Sequence, residues 1–183
     1  MGRPRRIIQT GLSYHTYTRC RNLENHFKND RFKNLVIKAI LEIQKKLNFE
    51  LNDFIIMPNH LHLVITTLND KDTISKIMQV IKSVIAKRMN KLLGVRGPFW
   101  NERFGSKIVY FFPALCSYIA NNPVRKGLIE KAEESKYGTY HVYRQENSKC
   151  KLKITFHKQF LTLGKSLAEC FERQMYLDMF YIR

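Results

Sequence analysis

Phe54-Ile55-Ile56-Met57-Pro58-Asn59-His60-Leu61-His62-Leu63-Val64-Ile65 consists of two apolar runs hinged on Pro58-Asn59. Proline presets φ and asparagine tolerates positive φ, so the pair predicts a tight turn between two strands, 50–57 and 60–67. Side chains alternate along a strand. Leu61, Leu63 and Ile65 therefore share one face, and His60, His62, Val64 and Thr66 the other. The aliphatic face predicts packing against helices, which leaves the histidine face as the open one. Two imidazoles on one face can hold one divalent metal ion, although on spacing alone such a pair is more often structural.

Upstream, Leu12-Ser13-Tyr14-His15-Thr16-Tyr17-Thr18 is dominated by β-branched and aromatic residues and predicts a strand. Residues 31–47 carry Leu35, Val36, Ile40, Ile43 and Leu47 at helical spacing. Thr73 caps a second predicted helix reaching 93, with Ile74, Ile77, Met78, Ile81, Ile85, Met89 and Leu92 on one stripe. Gly94-Val95-Arg96-Gly97-Pro98 breaks the chain, and 107–111 predicts a further strand. A short helix, 113–121, is expected to end at Pro123, because the residue before proline avoids helical geometry. The order strand–helix–strand–strand–helix–strand is the ferredoxin-like α+β pattern. It predicts a four-stranded antiparallel sheet with both helices on one face and the other face free for a ligand. Residues 130–145 are irregular and tyrosine-rich. Residues 156–180 suggest one or two helices with Phe160, Leu163, Leu167, Phe171 and Met175 inward. The expected division is a domain over 1–145 and a helical extension over 146–183.

The bulk numbers narrow the function. Of 183 residues 44% are hydrophobic, enough for a core and too many for a disordered chain. No apolar run is long enough to span a membrane, and Met1-Gly2-Arg3-Pro4-Arg5-Arg6 lacks the apolar segment of a signal peptide. Cys20, Cys116, Cys150 and Cys170 have no paired spacing, so neither a zinc finger nor a disulfide framework is expected, and a reducing cytosol is the default. Lys and Arg number 32 against 15 Asp and Glu, a net charge of +17, for which phosphate backbones are the commonest reason.

Downstream, Ser117-Tyr118-Ile119-Ala120-Asn121-Asn122-Pro123 places Tyr118 and Asn122 four apart, on one side of a helix. Taken alone, Tyr118 fits a half-buried helical tyrosine and Asn122 a terminal capping residue. Their company changes the balance. Arg3-Pro4-Arg5-Arg6 with Tyr14-His15, Met57-Pro58-Asn59-His60-Leu61-His62-Leu63, Gly97-Pro98-Phe99-Trp100-Asn101-Glu102-Arg103-Phe104 and Tyr118-Ile119-Ala120-Asn121-Asn122-Pro123-Val124-Arg125-Lys126-Gly127-Leu128 occur in this order. Together they resemble the single-tyrosine HUH transposases, and within them the REP-associated tyrosine transposases, over residues 3 to about 143.

The resemblance implies an HUH endonuclease fold in which His60 and His62 are metal ligands and Tyr118 is the nucleophile. Asn122 falls where such enzymes place a polar group, often Gln, to complete the metal site; Glu102 or a water are alternatives. Trp100-Asn101 stands where the motif commonly reads Trp-Gln. The implied activity is cutting and rejoining of single-stranded DNA at hairpin-associated sites through a 5′-phosphotyrosine, with Mg²⁺ or Mn²⁺ and no organic cofactor. Imidazole ligands favour Mn²⁺ on softness, and Mg²⁺ is the abundant ion in cells. Expected DNA contacts are a basic arm (Arg3, Arg5, Arg6), a helix face (Lys82, Lys87, Arg88) and base stacking by Trp100 and Phe99, with Phe104 in the core and Tyr137, Tyr140 and Tyr143 in packing. The expected setting is the bacterial cytoplasm, at the nucleoid, as a monomer or homodimer. Alternatives are a hairpin-binding protein of the same fold that has lost cutting, a ferredoxin-like RNA-binding module and a metal-dependent hydrolase without a covalent intermediate. The RNA module would call for an aromatic pair on the central strands, where this chain has histidines.

Overall fold

The computed structural model describes residues 7–145 and 150–181. The arm residues Arg3, Arg5 and Arg6 lie outside the described residues. In chain order the elements are β1 (Ser13–Arg19), α1 (Asp30–Gln44), β2 (Phe49–Ile56), β3 (His60–Thr67), α2 (Ile74–Leu93), β4 (Gly105–Ile108), α3 (Phe112–Arg125), α4 (Lys158–Leu161) and α5 (Leu167–Tyr181). The strands form one antiparallel sheet in the order β2-β3-β1-β4, as the ferredoxin-like pattern requires. Met57 N–H donates to the His60 carbonyl at 2.9 Å and closes the Pro58-Asn59 turn.

One face of the sheet is a continuous apolar core. Leu61, Leu63 and Ile65 of β3 meet Ile40 and Ile43 of α1 and Ile77, Ile81 and Ile85 of α2, all buried. Each such side chain contributes about 1.5–3 kcal/mol on leaving water. The pairing of β2 with β3 slips between Leu51 and Asp53, so Asn52 is an extra residue on its strand. The bulge lets Leu51 and Phe54 both join this core and turns Asp53 and Ile55 to the opposite face. Thr73 caps α2 by accepting from Lys76 N–H, and Gly94 ends it with φ +68°, a left-handed conformation natural to glycine.

The histidine face is not open along its length. Ile55, Met57 and Val64 form a second core with Phe112, Cys116 and Ile119 of α3, Tyr143, and Phe160 and Phe171 of α4 and α5. Alternation places Val64 on this face with the histidines, as the structure has it. What it could not register is that α3 begins four residues after β4 and folds back across that face, with α4 and α5 packed behind it. The face opens toward β1 and the edge strand β4, where His15 and Tyr17 are half-buried and Arg19 and Lys107 are exposed.

Two further expectations are corrected. Helix α3 runs through Pro123 to Arg125. A proline near a helix end removes one backbone bond, and here Asn121, Asn122 and Pro123 are buried, so packing outweighs that loss. The stop is Gly127, with φ +62°. Leu128 N–H donates to the Pro123 carbonyl at 3.0 Å and Gly127 N–H to the Val124 carbonyl at 2.9 Å, the paired bonds of a Schellman cap. In α5, Leu167 and Met175 point outward rather than inward; the buried stripe is Cys170, Phe171, Gln174 and Asp178. Asp178 on that stripe is matched by Arg144, whose guanidinium donates to both its oxygens at 2.5 and 2.8 Å, and by Ser117, whereas Gln174 Oε1 is buried without a hydrogen-bond partner among the described residues.

Candidate active site

The strand register brings the site together from three segments. His60 and His62 lie on β3, and β1 sets Tyr17 opposite His62 and Arg19 opposite His60. Tyr118 and Asn122, one turn apart on α3, cross above them. The His60 and His62 ring centres are 5.0 Å apart, and the Tyr118 ring stands edge-on to His62 at 6.5 Å. Tyr118 is 38% exposed, the only one of its helix's site residues open to an incoming strand, whereas Asn122 and His62 are buried. The Arg125 guanidinium lies 5.5 Å from the Tyr118 ring centre, a cation about two turns along the same helix face from the nucleophile candidate.

Hydrogen bonds define which ring nitrogens are available. His60 Nδ1 is 2.7 Å from Asn59 Oδ1, which can only accept, so the proton sits on Nδ1 and Nε2 keeps its lone pair. Asn122 Nδ2 donates to His62 Nε2 at 3.1 Å, and His62 Nδ1 donates in turn to His15 Nε2 at 2.9 Å. Both histidines of β3 thus present Nε2 as a base. Burial is the main reason their protonated forms are disfavoured. His60 is lowered to about 4, helped by Arg19 and Lys126. His62 is lowered to about 2, helped by its neighbours His15 and His60 and by Arg19. At neutral pH both are neutral, the state that binds metal.

His15 was not among the candidate ligands read from the sequence. It stacks on His62 with ring centres 5.1 Å apart, and burial, then Lys107, lowers it to about 4. The signal lay in Tyr14-His15, but its meaning depends on a register between strands 47 residues apart. Because its Nε2 engages the far nitrogen of His62, it orients that ring rather than joining His60 and His62 around one point. Among the described residues no group of three or more His, Cys, Asp or Glu is placed to hold a metal ion. The protein donors that fit one are therefore His60 Nε2, His62 Nε2 and the Asn122 amide, whose turn about its last torsion would present Oδ1.

The other candidates fall elsewhere. Trp100 is buried, its ring against Phe99 and Phe27, and its indole N–H donates to the Lys82 carbonyl at 2.9 Å. It is a core residue and offers no face to a base; Phe99 is buried beside it, as is Phe104. Lys82, Lys87 and Arg88 belong to α2, on the sheet face away from the histidines. Arg88 pairs with Glu42 of α1, and Lys82 donates to the Glu102 carbonyl and lies over the Trp100 ring. Only Lys87 of the three is exposed. Glu102 is exposed on the loop before β4. Tyr137 and Tyr143 are buried in packing. No helix among the described residues is long and apolar enough to cross a membrane.

Residues 8–122 match the family model described as Transposase IS200 like. A REP-associated tyrosine transposase of Escherichia coli (strain K12) is 22% identical over 144 residues, covering 77% of this chain and 84% of that protein. A solved structure of a REP-associated tyrosine transposase bound to a REP hairpin has a TM-score of 0.69 and 19% identity, and covers 87% of this chain and 96% of that one. At that identity the likeness concerns the fold.

Proposed function

Since the chain belongs to the IS200-like transposase family, we propose that it cuts and rejoins single-stranded DNA beside hairpins, with Tyr118 as nucleophile. The observation that carries this is the crossing of α3 over β3, which stands half-exposed Tyr118 against His62 and sets Asn122 on the Nε2 of the same ring. The hairpin in the related solved structure supports the choice of DNA form.

The Tyr118 oxygen gives up its proton and attacks phosphorus, a P–O bond forms to the tyrosine, and the bond to the 3′ oxygen breaks, that oxygen taking up a proton to leave as a 3′-hydroxyl. The 5′-phosphotyrosine conserves the phosphodiester bond energy, so a 3′-hydroxyl from another strand reverses the step and joins DNA without ATP. A bound Mg²⁺ or Mn²⁺ would supply charge neutralisation at the non-bridging phosphate oxygens. The chain's own contribution is to hold His60 and His62 neutral with Nε2 available, to orient His62 through His15, and to keep Tyr118 at the edge of the buried cluster. Arg125, near the Tyr118 ring, favours the negative charge of the phosphotyrosine.

A labelled single-stranded hairpin oligonucleotide incubated with Mn²⁺ should yield a denaturation-resistant protein–DNA adduct. Tyr118→Phe should bind the same DNA and form none, and His60→Ala should lose cutting with binding largely kept. Equal cutting by Tyr118→Phe would refute the nucleophile assignment; binding without cutting of any hairpin in a panel would leave a hairpin-binding protein.

A further inference from the structure

Beside the site, a groove of about 830 Å³ runs along β4, the edge strand of the sheet. Its wall includes Tyr17, Arg19, Arg103, Gly105, Lys107 and Tyr110. Tyr17 links it to the site: its ring centre is 6.3 Å from that of His62 and 6.1 Å from that of His15. The hydroxyl end of the ring passes over Gly105, where a Cβ would come within 2.1 Å of it, so only glycine leaves room for Tyr17 there. Arg19, Arg103 and Lys107 make no ion pair among the described residues.

Lysine on an edge strand has an ordinary purpose, to deter pairing with another chain. Tyr110 does not fit that purpose. It is 82% exposed, yet the backbone that follows it is held at two points by one side chain. Gln159, from α4, donates Nε2–H to the Tyr110 carbonyl at 2.8 Å and accepts Phe112 N–H on Oε1 at 2.6 Å. The groove's lining also holds one carboxylate, Glu102, against three cations that make no ion pair among the described residues. An exposed aromatic ring beside such cations is the combination that binds unpaired nucleic acid: bases stack on the ring and phosphates meet the cations.

We infer that this groove carries the unpaired DNA strand adjoining the cut phosphodiester, with Tyr110 stacking on a base and Arg19, Arg103 and Lys107 meeting phosphates. The inference rests on the function proposed above, which it extends from the cut bond to the neighbouring nucleotides. It also gives the chain's last third a task, since Gln159, outside the family-matched residues, holds the Tyr110 carbonyl.

Binding separates the two proposals. Full-length Tyr118→Phe protein, which cannot be consumed by cutting, is titrated by fluorescence anisotropy with one hairpin in three forms: blunt, extended on the 5′ side and extended on the 3′ side. One extension should tighten binding about ten-fold. Adding Tyr110→Ala, or Arg103→Ala with Lys107→Ala, should remove that gain and leave the blunt hairpin within about two-fold. Tyr110→Phe should keep the gain, because the ring remains. The inference is overturned if neither extension tightens binding, if the alanine variants keep the gain, or if they weaken the blunt hairpin equally, which would make the groove a duplex contact. Loss of the gain in protein whose Tyr118 form never yields an adduct would uphold the groove and sink the nucleophile.

Discussion

On one side of the sheet, Leu61, Leu63 and Ile65 meet α1 and α2 almost entirely through hydrocarbon. On the other, Ile55 and Val64 share a covering helix with His62, Asn122 and Ser117, and behind it Arg144 and Asp178 form a buried ion pair. The two layers use the same sheet and similar helices, but the buried imidazoles and the Arg144–Asp178 ion pair belong to only one of them; the other admits few polar atoms, such as the Thr16 hydroxyl against Met78 of α2. An apolar layer holds its shape by filling space and tolerates small adjustments. A layer with buried polar groups must satisfy each one in a fixed geometry or lose stability. The second layer therefore orients the ring nitrogens and the tyrosine, and the first supplies a stable base on which they are set.

Asp178 carries the largest expected effect in the polar layer. Asp178→Ala leaves the Arg144 guanidinium buried without its counter-charge, and urea unfolding should report a loss of about 3–5 kcal/mol. Adduct yield per folded molecule should also fall, because Asp178 bonds Ser117, one residue from the nucleophile candidate. Ile81→Ala on the apolar side should cost about 2–5 kcal/mol with adduct yield per folded molecule unchanged. If the Ile81 variant damages chemistry as much as the Asp178 variant, the division between the layers fails.

His15→Ala sharpens the comparison within the polar layer. Removing an orienting partner of a metal-binding histidine typically weakens metal binding about 10–100-fold. Calorimetric titration with Mn²⁺ should show that loss for His15→Ala and no measurable binding for His62→Ala. Equal affinity in wild type and His15→Ala would reduce His15 to packing.

The same imidazoles predict a pH dependence. His15 and His60 stand at about 4 and His62 at about 2, below the ordinary histidine value of 6.5. Folding thus favours their neutral forms. Their contribution to stability is complete above about pH 6.5 and declines as pH falls toward 4, since the unfolded chain takes up protons first. Melting temperature should fall over that interval, and His15→Gln should flatten the decline; a wild-type curve identical to that of the variant would argue against burial of a neutral pair. The smallest effect is expected on the apolar side. Trp100→Phe deletes one hydrogen bond, worth about 1 kcal/mol, and should leave DNA affinity unaltered.

Much of the first layer is legible in the amino-acid order because its signals are local. The Pro58-Asn59 turn, the strand alternation around His60-Leu61-His62, and α2 between Thr73 and Gly94 each depend on neighbouring residues. The meeting of Tyr118 and Asn122 with the histidines was accessible only through the family resemblance, since α3 and β3 are far apart in the chain. Features set by long-range contact stayed hidden. His15 needs the β1–β3 register, Trp100 needs the Lys82 carbonyl that takes its N–H, and the cover over the second face needs the route of α3. The end of α3 was misjudged for a different reason. Pro123 is a strong breaker in isolation, but packing carried the helix past it to a cap supplied by Gly127.

The proposed function requires the polar layer to present one particular tyrosine to DNA. Protein reacted with a hairpin oligonucleotide and Mn²⁺ should be trimmed with nuclease and protease and sequenced by tandem mass spectrometry. The account predicts a nucleotide joined through phosphate to Tyr118 alone. A nucleotide on Tyr17, whose ring also lies beside His62, or DNA cut with no nucleotide left on the protein, would contradict it.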